Sequence, residues 1–366
     1  MALLTSNISM AQNDVTAPVA NDSVTVADTV VTKKPLFSRA VKGVLKFFSP
    51  DVDTTYIEPQ KYNFAAMAQA TLCYDHYTLR SGTDYDISFS PSERISVGPY
   101  FGWRWLFLGY TFDINIADVI NGNTDINFNI YTAAVGINLL YRKLNNYRLG
   151  HVSICGTDYT DFTHKEAFPG LNVSVKGLNL YYVLNSKQYS HQAAYNQTNR
   201  QIRNAGSLIV GTGYDHHSIS SNWQDLLSVL PQKASYQLFN DDIKLFDQAD
   251  YKTISLSVGY GYNWVFAKNW LAGAQLIGSA SYIWSDTERS EVDEKFVDVI
   301  KNFNFNNFTG DLGLRLGIVW NNAVWYAGGS ALFNSYNYHN NGIFANNTFG
   351  TMNIYVGYNF GKRNRK

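Results

Sequence analysis

The run Asp215-His216-His217-Ser218-Ile219-Ser220-Ser221-Asn222 holds the residue types in this 366-residue chain best suited to bond-breaking chemistry. An imidazole beside a hydroxyl can take its proton and make it a nucleophile, an arrangement suited to opening esters. His216, His217 and Ser218 are therefore the candidate catalytic residues. On a strand, neighbouring side chains point to opposite faces, so only one of the two histidines can face the outside. The sequence identifies no third group to orient an imidazole. Adjacent histidines diverge, and no carboxylate spacing beside them supports a metal site. The plainer alternative is a set of polar residues at the base of an exposed loop.

A second set is charged and scattered. Asp75, Arg94, Asp113, His151, Asp311 and Arg315 all fall on the inner faces of expected strands. In an open lumen they would line a path and set its selectivity. In a narrow barrel they would pair and fill the interior. Gly259-Tyr260-Gly261 precedes no helix, so it is no phosphate loop. No cofactor and no metal are expected.

Long strands must position these groups. From residue 62 onward the hydropathy period is two. In residues 253–264, Ile254, Leu256, Val258, Tyr260, Tyr262 and Trp264 alternate with Thr253, Ser255, Ser257, Gly259, Gly261 and Asn263. The next strand repeats the pattern from Trp270 to Trp284. In the strand from 308, Phe308, Leu312, Leu314, Leu316, Ile318 and Trp320 oppose Thr309, Asp311, Gly313, Arg315 and Gly317. Sandwich strands are usually about 5 to 6 residues long. These are about twice that, with aromatics at both ends of the apolar face, as lipid interfaces require. A charge facing hydrocarbon would cost roughly 2–4 kcal/mol, which explains why Asp311 and Arg315 take the other face.

The composition agrees. Lys+Arg 29 balances Asp+Glu 29, so no nucleic-acid partner is indicated. Tyr 26, Phe 22 and Trp 8 exceed what a soluble core needs and suit half-apolar, half-wet surfaces. No stretch approaches the roughly 20 apolar residues of a membrane-spanning helix. The expected fold is all-β: a transmembrane antiparallel up-and-down β-barrel of about 12 strands in the bacterial outer membrane, preceded by a short periplasmic amphipathic helix.

Expected strands cover 62–80, 85–101, 106–115, 124–141, 147–158, 171–184, 205–219, 251–265, 269–285, 306–320, 323–337 and 348–360. Phase slips near Tyr131 and at Gly177 read as bulges. The organisation read from the sequence is a signal-peptide remnant over 1–11, a flexible linker over 12–36, the amphipathic helix and lead-in over 37–61, the barrel over 62–361, and a basic tail over 362–366. Short connections at 143–146, 266–268 and 321–322 are assigned to the periplasm, with both termini. Longer ones at 116–123, 159–170, 220–250, 286–305 and 338–347 are assigned to the cell exterior. In 220–250, Trp223, Leu226, Leu227 and Leu230 share a helical face. Cys73 and Cys155 are read as inward-facing on strands too far apart to bridge, hence as thiols.

One connection breaks this asymmetry. Residues 185–204 are long and polar yet fall on the short-turn side, so they are expected to enter the lumen as a plug. Gln188, Tyr189, Ser190, His191, Gln192 and Gln201 are its candidate residues.

The order of three motifs, Asp53-Thr54-Thr55-Tyr56-Ile57, Gln188-Tyr189-Ser190-His191-Gln192-Ala193-Ala194-Tyr195 and Gln201 through Ala205-Gly206-Ser207, resembles an uncharacterised family. It is the Bacteroidota outer-membrane barrel family called domain of unknown function four-four-two-one. The resemblance covers roughly residues 50 to 361 and implies a barrel with no assigned activity. The last strand, with Met352, Ile354, Val356, Tyr358 and Phe360, is similar to the signal read by the barrel-assembly machinery, although a basic tail follows it.

The expected partners are that machinery, the outer-membrane bilayer and its lipopolysaccharide, and a solute or surface partner the sequence does not specify. Three functions fit: a narrow channel or structural/interaction protein, an outer-leaflet lipid-modifying hydrolase, or a surface adhesin or antigen.

Overall fold

Alternating side chains let one face of each strand meet lipid while the other meets the lumen. In a computed structural model of the chain, the described residues run from 52 to 362, apart from 83, 92–93, 104–105, 110–111, 114–123, 146, 164–165, 169, 228, 239–247, 286–306 and 341–342. The signal, linker and helix assignments before residue 52 and the tail after 362 lie outside them.

A short strand, β1 (Ile57–Pro59), leads into β2 (Tyr62–Ser81), β3 (Tyr85–Pro91), β4 (Arg94–Trp103), β5 (Leu106–Gly109), β6 (Phe112–Asp113), β7 (Thr124–Tyr131), β8 (Val135–Leu144), β9 (Tyr147–Ile154) and β10 (Thr157–Asp158). There follow β11 (Ala167–Phe168), β12 (Leu171–Val183), β13 (Asn199–Gln201), β14 (Ala205–Ser221), β15 (Gln248–Ala267), β16 (Trp270–Ser285), β17 (Phe308–Asn321), β18 (Trp325–Asn340) and β19 (Ile343–Lys362). From β12 onward the ladder is a simple meander, and β19 pairs with β2 to bring the sheet round on itself.

Several segments continue one another. β2 pairs with β3 through Tyr77↔Phe89 and with β4 through Cys73↔Arg94, so β3 and β4 form one strand. β12 pairs with β8 up to Val173↔Leu144, and β11 pairs with β9 at Phe168↔Tyr147, so β8 and β9 also form one. With β5 and β6 counted together, the described residues contain twelve spanning strands. β3 pairs directly with β9 toward the long-loop end, whereas β4 pairs with β5 and β6 toward the short-turn end. Among the described residues no ladder joins β6 to β7.

This differs from the sequence reading in three places. Residues 124–141 are a hairpin: Thr132 Oγ1 accepts from Val135 N at 2.9 Å and closes a turn where Ala133 and Ala134 give no turn signal. The connection expected at 143–146 does not turn the chain back, since β8 and β9 form one strand, and these two errors offset each other in the count. Gly177 pairs without a shift on both sides, so it is no bulge; a Cβ there would run into the Asp215 carboxylate. The register shifts lie instead between Ile87 and Phe89 and between Trp264 and Ala267.

Outside, apolar side chains stand bare: Ile354 is 74% exposed, and Leu256, Val258, Leu276, Leu312 and Ile318 are exposed as well. So continuous an apolar surface needs a nonaqueous neighbour. Trp103, Trp264, Trp270 and Trp325 ring the short-turn end, and Tyr214, Phe308 and Phe344 stand toward the long-loop end, giving the two aromatic girdles of a membrane barrel.

Inside, the long-loop half is packed with apolar side chains. Tyr77, Leu79, Ile87, Phe89, Leu149, Ile154, Phe168 and Val173 form one buried cluster. The helices Gln224–Leu227 and Gln232–Leu238 add Leu226, Ala234 and Leu238, and Trp223 lies 6.2 Å from Tyr85 and 6.3 Å from Phe168, ring to ring. The helical face expected in 220–250 therefore packs down into the barrel; the Leu227 side chain lies outside the description. Full burial of each such side chain contributes about 1.5–3 kcal/mol.

Candidate functional site

Residues 185–204 turn inward from the short-turn end. Ser190 caps the helix His191–Tyr195, its Oγ accepting from Ala193 N at 3.1 Å and donating to Asn199 Oδ1 at 2.6 Å. The helix is short, and Ala194 lets it lie against the wall. A Cβ on Gly273 would meet the Ala194 methyl at 2.7 Å, and one on Gly317 would meet the Ala194 carbonyl at 2.9 Å.

Gln201 braces the segment. Its Nε2 donates to the carbonyls of Gln188 at 2.6 Å and Arg203 at 2.9 Å, while its Oε1 accepts from Ser190 N at 2.9 Å. Asn263 of β15, fully buried, donates to the Ser190 carbonyl at 2.8 Å and to Gln201 Oε1. Gln192 Oε1 accepts from Asn199 Nδ2, and Gln197 Nε2 donates to Tyr355 OH of β19, both at 2.9 Å. Tyr189 is buried against Gly261. Each bond is worth about 0.5–1.5 kcal/mol, but an orphaned partner would cost more. On the side facing β2 and β19, the gap beside Gln197 and Thr198 is a cavity of about 10 Å³, room for about one water.

The lead-in is stitched to the same segment. β1 pairs with β13, Ile202 N donates to the Tyr56 carbonyl at 2.8 Å, and Arg200 pairs with Glu58 at 2.9 Å. The three motifs that carried the resemblance thus converge on one structure.

The six charged candidates do not form one lining. Arg315 faces the lumen, donates to His191 Nε2 at 2.9 Å and stacks 5.3 Å from the Tyr195 ring. His191 must accept that bond, so its imidazole is neutral; burial first, and the guanidinium second, hold its pKa well below the ordinary value. Asp75 faces inward and pairs with Arg142 at 3.2 Å, both buried, with Arg142 lying over Phe349. Arg94 is buried opposite Cys73. Asp311 accepts from Ser281 Oγ and from Asn337 N.

His151 is the exception. A register shift beside it turns it outward, where its ring bonds Thr160 at 2.9 Å. Asp113 pairs opposite Ser96, and its side chain lies outside the description. Cys73 faces inward, whereas Cys155 sits exposed in a tight turn at φ 46, not on a strand; neither is in a disulfide. Between plug and apolar core, inward polar residues such as Asn138, Asn179, Ser257 and Thr351 are half-buried.

On β14, odd residues face in. His217 is 3% exposed and stacks on Tyr251, 4.7 Å between rings, which removes it from any outward chemistry. His216 and Ser218 face out. Asp250, which the sequence reading missed because it lies 34 residues away beyond a long loop, bonds His216 Nε2 at 2.6 Å. Ser218 pairs across the ladder with Asp250 but makes no hydrogen bond to His216 among the described residues. No cluster of three or more His, Cys, Asp or Glu suited to a metal occurs among them either.

The model of the family "Domain of unknown function (DUF4421)" matches residues 51–360, and the chain belongs to that family. No curated protein matches. Among solved structures, the outer-membrane protease OmpT of Escherichia coli is similar at 10% identity and a TM-score of 0.37, covering 82% of this chain and 97% of its own. OprG, an outer-membrane protein of Pseudomonas aeruginosa, is similar at 9% identity and 0.27, covering 83% and 99%. The transport unit of the E. coli autotransporter AIDA-I follows at 10% and 0.30, covering 81% and 90%.

Proposed function

We propose that this DUF4421 barrel works in the bacterial outer membrane as a closed structural or surface-interaction protein and not as a diffusion channel. One observation carries the reading: the lumen is filled twice, by the segment 185–204 at the short-turn end and by the apolar cluster under the long loops. A solute would have to displace buried side chains at both. The apolar exterior with two aromatic girdles supports the membrane, and the short turns, on the side where β2 begins and β19 ends, support a periplasmic position for that side. The plug then faces the periplasm. β14, β16 and β18 end at the opposite rim, and partners or an adhesive role would lie on that side.

Liposomes holding the folded protein test this by swelling in small sugars or amino acids. The expected rate equals that of empty liposomes; swelling that tracks solute size and protein content would overturn the reading.

A second reading, the outer-leaflet hydrolase, is favoured by the His216–Asp250 bond, which supplies the orienting carboxylate the sequence lacked. Ser218 is the nucleophile it requires. A fluorophosphonate that labels Ser218 in the folded protein, and not in Ser218→Ala or His216→Ala, supports it; an unlabelled folded protein ends it.

A further inference from the structure

We infer that the outward face of β2 and β3 carries a serine–histidine pair, Ser90 with His76, that cleaves an acyl ester of a membrane lipid; this rests on the membrane-barrel reading and is independent of the closed lumen. On β2 the odd residues Asp75, Tyr77 and Leu79 are buried inside, whereas Leu72 and Tyr74 stand exposed outside. His76 and Thr78 continue that outward row. On β3, Tyr85, Ile87 and Phe89 fill the interior, so Ser90 also faces out. Tyr77 pairs with Phe89 across the ladder, which brings His76 and Ser90 side by side.

The two side chains meet in the geometry that nucleophilic catalysis needs. His76 Nδ1 lies 2.9 Å from Ser90 Oγ, within the reach over which an imidazole takes a hydroxyl proton. The other ring nitrogen, Nε2, lies 3.4 Å from Thr78 Oγ1. In the productive tautomer Nε2–H donates to Thr78, and Nδ1 is left to accept from Ser90. Tyr74 flanks the imidazole, stacked at 6.4 Å between ring centroids. Nucleophile, base and orienting hydroxyl thus lie on two adjacent strands of the wall. Ser218 makes no such bond to His216 among the described residues.

Depth identifies the substrate. Toward the long-loop end, the outward residues of β2 pass from Leu72 and Tyr74 to His76 and Thr78, and those of β19 from Ile354 and Met352 to Thr348 and Asn346. Thr348 pairs with His76 across the ladder, and Met352 with Leu72. The half-buried pair therefore stands just beyond the apolar belt, in the interfacial layer where ester bonds join acyl chains to headgroups. An acyl chain lying along Leu72 and Met352 would bring its ester carbonyl up to Ser90.

In the reaction Ser90 Oγ bonds to the acyl carbon while its proton passes to His76 Nδ1. The ester C–O bond breaks, and the departing alcohol takes that proton. Water then gives a proton to Nδ1 and its oxygen to the acyl carbon; the fatty acid leaves, and the proton returns to Ser90 Oγ.

The test uses the full chain folded in detergent, with its heat-modifiable migration on gels as proof of the barrel. A fluorophosphonate is offered and the labelled serine located by peptide mapping, and fatty-acid release is measured from mixed micelles of phosphatidylglycerol and, separately, of lipopolysaccharide. The label should fall on Ser90, and His76→Gln should slow it roughly 100-fold or more, the loss expected without a general base. Thr78→Val should slow it roughly 2- to 10-fold and Thr78→Ser should restore the rate, because it is the hydroxyl that positions the ring. Fatty acid released from either micelle, and no longer released by Ser90→Ala, supports the activity and shows which lipid supplies the ester. An unlabelled folded protein, a label confined to Ser218, labelling of Ser90 unmoved by His76→Gln, or release from neither micelle overturns the site while leaving the barrel intact. A chain that never becomes heat-modifiable contradicts the barrel itself and, with it, the site.

Discussion

Arg315 on β17 donates to Nε2 of His191 in the plug helix at 2.9 Å, so wall and plug are joined by a bond that needs a neutral imidazole. The same guanidinium covers the Tyr195 ring, and the Tyr195 hydroxyl donates to the Arg315 carbonyl at 3.3 Å. Arg315 thereby ties the helix to β17 through both its side chain and its carbonyl.

Arg315→Met should loosen the plug while leaving the barrel folded. A lost bond to a charged group is worth about 1.5–3 kcal/mol, which is roughly tenfold to a hundredfold in the population of undocked plug. Trypsin cleavage after Lys187, Arg200 or Arg203 should quicken by about that factor. An unchanged cleavage rate would mean that this contact does not hold the segment.

Acid should have a related effect. The docked His191 has a depressed pKa, so the docked state binds fewer protons than the released one. Docking is therefore at full strength above about pH 6.5, the ordinary histidine value, and weakens as pH falls below it. Amide exchange at residues 191–195 should accelerate between about pH 7 and about pH 5 beyond the intrinsic chemical effect, and His191→Gln should remove that excess. If the excess persists in the variant, His191 is not its source.

Gly317→Val and Gly273→Val place a side chain where Ala194 now lies. Each should expel the helix His191–Tyr195 without unfolding the wall, whose ladder bonds are unaffected. Hydrogen exchange should then show protection lost in 189–201 and kept in β16 and β17. Protection retained across both regions would count against close packing of the helix.

Asp75 and Arg142 test the interior polar layer. Removing one partner of a buried pair usually costs about 3–5 kcal/mol, so Arg142→Met should lower the urea midpoint of the detergent-folded protein markedly. Asp75→Leu added to Arg142→Met should recover much of the loss. A single variant as stable as the parent would show the pair to be solvated.

Period-two alternation identified the lipid faces of β15, β16 and β17 because each is long, unbroken and two-sided. It failed at 124–158, where the hairpin closed by the Thr132 side chain has no Gly or Pro at residues 132–135, and where β8 and β9 form one strand with no turn at Asn145. His151 went to the wrong face because a register shift inverts every residue beyond it.

At the candidate sites, the polarity and position of 185–204 were legible. The Gln201 brace was not, because it depends on Asn263 from another strand. Asp250 was missed for the same reason: its place beside His216 is set by the β14–β15 register and not by spacing in the chain. Nor could periodicity reveal that the long-loop half is an apolar core, since inward Leu149 or Val173 reads like a lipid-facing residue of opposite phase.

A barrel closed at both ends should carry no ions. Planar bilayers containing the folded protein give the most direct measurement, recording current at neutral pH for the parent chain. The expected record is flat, at the level of the bare membrane. Stable, stepwise conductance from the unaltered chain, scaling with the number of inserted barrels, would contradict it.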